Sequence, residues 1–163
     1  MREILFRGKR VDNGEWVEGS LIRSDEFYGD KRKKPLYYIC PFDTTFEYDE
    51  CYDDSDEVNP DTIGQYTGLI EKNGTKVFEG DIVKYTRTRM YAPSASFNGQ
   101  DLVSKHLIYW NEDKHCFYQD HYTEKRCIGA GGIVFKDERT EENIIEVIGN
   151  IYDNPELLKN IKE

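Results

Sequence analysis

Residues 58–85 read V-N-P-D-T-I-G-Q-Y-T-G-L-I-E-K-N-G-T-K-V-F-E-G-D-I-V-K-Y. Asn73-Gly74 stands between two apolar-bearing flanks, and both residues tolerate the positive φ that a tight hairpin turn requires. Gly80 interrupts the extended run that follows, so a bulge or bend is expected there, with Asp81 hydrogen-bonding nearby main chain. The alternative for Asp81 is a carboxylate presented to a partner; the turn role is favoured. The pattern is that of a β-hairpin and not of a catalytic site.

Working outward, Asp12-Asn13-Gly14 gives the same turn signal between two strand-like stretches in residues 2–24. In both places a glycine stands five residues before the Asn-Gly pair, Gly8 and Gly68. Two hairpins using one turn solution is favoured over an internal duplication, which stays open. Residues 25–35 are polar and read as an exposed loop. Leu36–Cys40, Leu102-Val103, His106–Trp110 and Ile144–Ile151 read as strands, the last with Ile145, Val147, Gly149 and Ile151 on one face. Residues 86–101 and 120–132 read as loops. Asp153-Asn154-Pro155-Glu156 combines a polar cap, proline in the first turn and an acid near the positive end of the dipole, and so starts a short helix.

Three stretches carry a family resemblance. Thr62–Leu69 with Asn73-Gly74 and Glu79–Val83, then Glu146–Leu158, and Phe6-Arg7-Gly8-Lys9 at the start, resemble the YopX-like phage proteins. The resemblance implies a phage or prophage origin, a β-rich fold with an SH3-like barrel, and no established activity. No catalytic residue follows from it. Together with the strand pattern, the expected fold is mainly β: an N-terminal hairpin region with an acidic segment over residues 1–59, then an SH3-like β-barrel over 60–163 ending in the short helix.

Twelve Tyr, 8 Phe and 2 Trp in 163 residues favour strands, and a chain of this length buries enough surface to fold without a staple. The net charge of −10 is concentrated: nine acids and no Lys or Arg lie between Asp43 and Asp61, leaving −1 for the remainder. Such a segment repels phosphate backbones and argues against nonspecific nucleic-acid binding by the whole surface. Met1-Arg2-Glu3 leads straight into a strand pattern, and no apolar run approaches a membrane span. A cytoplasmic location in a bacterial host, with four reduced thiols, is expected.

The remaining constellations favour bland readings. Cys116, His121 and Cys127, with His115 or Cys40, lack the closely spaced pairs of a zinc site. Asp53, Asp54, Asp56 and Glu57 lack the glycine and terminal Glu of an EF-hand loop. Gly129-Ala130-Gly131-Gly132 has no following Lys-Ser/Thr and matches neither nucleotide fingerprint. His106, His115 and His121 form no recognisable set. No cofactor, no structural metal and no enzymatic activity are expected. The leading expectation is a non-enzymatic accessory protein that binds a host or phage protein through Asp53, Asp54, Asp56 and Glu57, with a basic partner the natural complement. The runner-up is a nucleic-acid-binding barrel using Lys31, Arg32, Lys33 and Lys34 beside Tyr28 and Tyr37. Homo-oligomerisation stays open.

Overall fold

The computed structural model describes residues 3–25, 27–28, 31–32, 34–41, 55–71, 73–87, 102–112, 116–120, 126–127 and 145–160. They form antiparallel strands and two short 3-10 turns. The chain divides into two compact units, Met1–Tyr66 and Thr67–Glu163.

In the first unit β1 (Phe6–Lys9) and β2 (Trp16–Ser24) make the first hairpin, with Phe6 opposite Gly19 and Lys9 opposite Trp16. The turn closes through Arg10 N to Glu15 O at 2.9 Å, with Gly14 at φ 73°. Phe27–Tyr28 (β3) and Lys31–Arg32 (β4) then pair as a separate small hairpin. Residues 25–35 therefore are not all loop: Phe27 pairs with Arg32 and Tyr28 with Lys31, in strands of two residues that are too short to show alternation. β5 (Leu36–Cys40) lies on β2, and β6 (Asp56–Glu57) on β5. Gly19 is needed where β2 meets β5, since any Cβ there would run into the Cys40 main chain. β7 (Gly64–Ile70) pairs its first residues with β1.

A single bridge, Arg10 to Val58, ties the residue after β1 to the residue after β6, supported by Val11 N to Glu57 O and Asn59 N to Lys9 O. Leu5, Ile39, Val58 and Tyr66 are buried in this unit. Asn59 caps the 3-10 turn Pro60–Thr62 by accepting from Asp61 N. Buried Thr62 closes the join, its Oγ1 accepting from Lys9 N at 2.9 Å and donating to Asn59 O at 2.7 Å.

The second unit takes the end of β7 with β8 (Lys76–Phe78), then β9 (Asp81–Arg87), β10 (Leu102–Asn111), β11 (Cys116–Asp120), β12 (Arg126–Cys127) and β13 (Ile145–Asn150). The last five form a sheet in the order β12-β11-β10-β9-β13. Val83, Ile108, Phe117 and Ile145 pack with Val77, and Leu69, Tyr85 and Val147 close over them. Burying each large side chain of this set contributes about 1.5–3 kcal/mol.

Several expectations change in this unit. The described strands trace an open order and no closed barrel. The segment after β13 is a 3-10 turn, Pro155–Asn160, and not an α-helix: six residues are too few to sustain the α form. Ile145, Val147 and Gly149 do not share one face, because a bulge inserts Ile148 between Val147 opposite Val83 and Gly149 opposite Ile82. Arg126–Cys127 is a strand inside the stretch read as loop, and β9 extends to Arg87.

The second hairpin turn forms as its sequence dictates. Glu71 N bonds to Thr75 O at 2.8 Å, and Gly74 takes φ 90°. It closes a loop one residue shorter than the first, and buried Gly8 has no counterpart in Gly68, which is exposed at φ 87°. The two hairpins share turn chemistry and not detailed geometry. Because nothing lies within 4 Å of a Cβ built on Gly74, the cost of a side chain there is purely conformational. Gly74→Val should lower stability by about 1–2 kcal/mol in denaturant unfolding; an unchanged midpoint would count against the left-handed turn.

Candidate functional site

The Glu79-Gly80-Asp81 turn is spoken for by the fold. Asp81 is buried, and its Oδ2 accepts from Phe78 N at 2.7 Å. Gly80, at φ 83°, donates its N–H to Ile108 O and accepts from Ile151 N. Glu79 Oε1 accepts from Trp110 N at 3.1 Å. These groups join β8 and β9 to β10 and to the segment after β13, so Asp81 is not offered to a partner.

Of the acidic segment, Asp56 and Glu57 are described, while Asp53 and Asp54 lie outside the described residues. Glu57 is exposed. Asp56 is half-buried and meets Arg10 Nη2 at 3.1 Å. Arg10 also grips Asp12 with both fork nitrogens, Nε to Oδ1 at 3.0 Å and Nη2 to Oδ2 at 2.8 Å. The hydrogen bond from Arg10 holds the Asp12 carboxyl below its usual range, and the same bond to Asp12 raises the guanidinium. Arg10, Val11, Asp12, Ser55, Asp56 and Glu57 line a depression of about 300 Å³. Asp12 and Asp56 pair with the guanidinium, and Glu57 and Val11, the latter 59 % exposed, line the same depression. A cationic side chain entering it would meet carboxylates and one apolar side chain.

The basic stretch is divided. Lys31 and Arg32 belong to β4, Lys33 lies outside the described residues, and Lys34 is exposed. A second basic–aromatic group lies on the β1–β2 hairpin, where the Arg7 guanidinium carbon stands 4.6 Å and Lys9 Nζ 5.5 Å from the Trp16 ring centre. Counting both ways from Asn13-Gly14 with the hairpin register would have found it, since that register sets Lys9 opposite Trp16.

No group of three or more His, Cys, Asp or Glu among the described residues is arranged to hold a metal. His106 is 1 % exposed, edge-on to Tyr85 at 6.0 Å, within the core of the second unit. Cys40 is buried, and the side chains or whole residues of Cys51, Cys116, Cys127, His115, His121 and Gly129–Gly132 lie outside the described set. No helix among the described residues is long and apolar enough to cross a membrane.

Two tests follow from this geometry. Asp81→Ala removes a charged acceptor from a buried main-chain N–H and should cost about 1.5–3 kcal/mol in chemical denaturation; a neutral result would remove its role in the turn. Asp12, with its carboxyl depressed in the folded protein, contributes stability that is complete above its unfolded value of about 3.9 and is lost as pH falls through the lower folded value. By carboxyl NMR, Arg10→Ala should move the Asp12 midpoint up toward about 3.9; an unmoved midpoint would disconnect the two groups.

Among solved structures, the chain is similar to the crystal structure of protein EF1440 from Enterococcus faecalis, at 23 % identity over 97 % of this chain and 99 % of that one, with a TM-score of 0.42. No curated protein matches. The family model described as YopX protein matches residues 5–159, nearly the whole chain. The chain belongs to the YopX family.

Proposed function

We propose that this protein is a non-enzymatic, protein-binding accessory protein of phage or prophage origin, acting in the bacterial cytoplasm. Its recognition surface is the acidic rim of the first unit. The carrying observation is the depression where Asp12 and Asp56 pair with Arg10 and which Glu57 and exposed Val11 also line. Two of those carboxylates are already oriented by the guanidinium, so a basic partner meets a partly ordered surface and loses less entropy on docking. Asp53 and Asp54 extend the negative charge along the chain. The partner's class is a basic host or phage protein, steered by long-range attraction that salt weakens. An SH3-like strand arrangement over residues 60–163, left open as the described strands are, belongs to the same proposal, supported by the Gly80-Asp81 bend and the five-stranded antiparallel sheet.

A second reading, nucleic-acid binding, is favoured by one observation. Arg7, Lys9 and Trp16 form a basic–aromatic group in the first unit, which also contains Lys31–Arg32. Glu18 stands opposite Arg7 in the strand register and reduces the local positive charge, which ranks this reading second.

Replacing Asp53, Asp54 and Asp56 by Asn and Glu57 by Gln separates the two. The Arg10–Asp56 pair is partly exposed, and such pairs contribute about 0–1 kcal/mol, so the variant should fold. Pull-downs from bacterial lysate, with and without nuclease, should recover a basic protein with the parent chain and much less of it with the variant. Full capture by the variant at low salt would remove the acidic rim as the recognition surface; capture abolished by nuclease would favour the second reading.

A further inference from the structure

Asn13-Gly14 and Asn73-Gly74 are the same dipeptide in the same setting, an exposed hairpin turn, yet their asparagine side chains are held differently. Asn13 Oδ1 accepts from Glu15 N at 2.8 Å, and Asn13 Nδ2 donates to Glu15 Oε2 at 3.0 Å. Both ends of that amide are engaged. At Asn73 the engaged group is the main-chain N–H, which donates to Glu71 Oε1 at 3.2 Å; its side-chain amide makes no hydrogen bond among the described residues. Open space surrounds Gly74, with nothing within 4 Å of the position a Cβ would take.

We infer that Asn73 is a site of spontaneous deamidation and that Glu15 protects Asn13 from the same reaction. The main-chain nitrogen of Gly74 loses its proton to hydroxide and attacks Cγ of Asn73. A C–N bond forms, the side-chain nitrogen leaves as ammonia, and a five-membered imide results. Water opens the imide at either carbonyl, giving an aspartyl or isoaspartyl residue at position 73. One water is consumed, one ammonia is released and nothing is oxidised or reduced. Glycine favours the step because no side chain shields its nitrogen and its φ and ψ are permissive.

The competing main-chain constraint is equal in the two turns. Gly74 N donates to Glu71 O at 3.0 Å, and Gly14 N donates to Arg10 O at 3.0 Å. Each nucleophile must leave one bond, so the side-chain bonds to Glu15 are what separate the sites. The product has consequences. It puts a new carboxylate beside Glu71, which is only 3 % exposed. The isoaspartyl form also adds a carbon to a main-chain loop closed by Glu71 N to Thr75 O. Both effects loosen the β7–β8 hairpin.

The test is peptide mapping by mass spectrometry of the full-length protein, held at mildly alkaline pH. Isoaspartate plus aspartate should accumulate several-fold faster at position 73 than at position 13. In denaturant the two rates should converge, because the protection resides in the fold. In folded Glu15→Ala, the rate at position 13 should rise toward that at 73. Equal rates in the folded protein, a faster reaction at 13, a difference that persists in denaturant, or an unreactive Asn73 beside a reactive denatured control would each overturn the inference. Glu15→Ala removes the bond from Asn13 Nδ2 but keeps the main-chain N–H on Oδ1, so an unaltered rate at position 13 would overturn the protective role of the Glu15 carboxylate.

Discussion

A buried main-chain turn must find partners for its N–H and C=O groups, and the second unit is arranged around how Glu79-Gly80-Asp81 does so. Gly80 uses both of its main-chain groups on other elements, donating to Ile108 and accepting from Ile151. The Asp81 carboxylate folds back onto Phe78 N, and the Glu79 carboxylate reaches Trp110 N. The φ of 83° at Gly80 is what turns these groups outward to their partners. A Cβ there would lie 3.2 Å from Cε2 of Tyr152, so the close approach of the chain after β13 also depends on the glycine. Local conformation, hydrogen bonding and packing all require the same residue at one point.

Asn150 supports that approach from the other side. Its Oδ1 accepts from Tyr152 N and Asp153 N, and its own main-chain N–H donates to Asn154 Oδ1. Gly149 lies tight under the Asn154 side chain, where a Cβ would collide with Oδ1. The bulge at Ile148 gives the edge strand the extra residue that lets Asn150 pair with Asp81 while the chain turns away.

The turns were legible in the sequence because their causes are local. Asn-Gly, a glycine ahead of Asp81 and Asn-Pro-Glu each encode their geometry within four or five residues. What escaped was set by residues far apart. The pairing of Arg10 with Asp56 depends on the Val58 bridge, which no periodicity announces. The acidic segment carries no strand pattern, yet its end at Asp56-Glu57 is a strand with too few residues to show alternation. Ile148 moved Gly149 to the opposite face, since a single inserted residue inverts a period-2 pattern. The Arg7–Trp16 contact was hidden for a different reason: basic residues and tryptophan nine positions apart become neighbours only once the hairpin register is known.

The residues that carry the family resemblance bear on where function resides. Gly74 sets a hairpin turn, Gly80 and Asp81 dock a buried one, Gly149 and Asn150 shape the end of β13, and Thr62 joins β1 to the capped turn after Val58. Each has a sufficient reason in backbone geometry or hydrogen bonding, so the shared motif describes how the chain folds. A partner, in contrast, would be selected by groups with little effect on folding. Asp12 and Glu57 meet that condition: both are exposed, and both belong to a surface already charged and oriented. Exposed Val11 lines the same depression and offers apolar area whose removal from water would add to affinity on the proposed function. On the proposed function, fold and recognition are written in different residues, and such a separation lets one scaffold carry different surfaces.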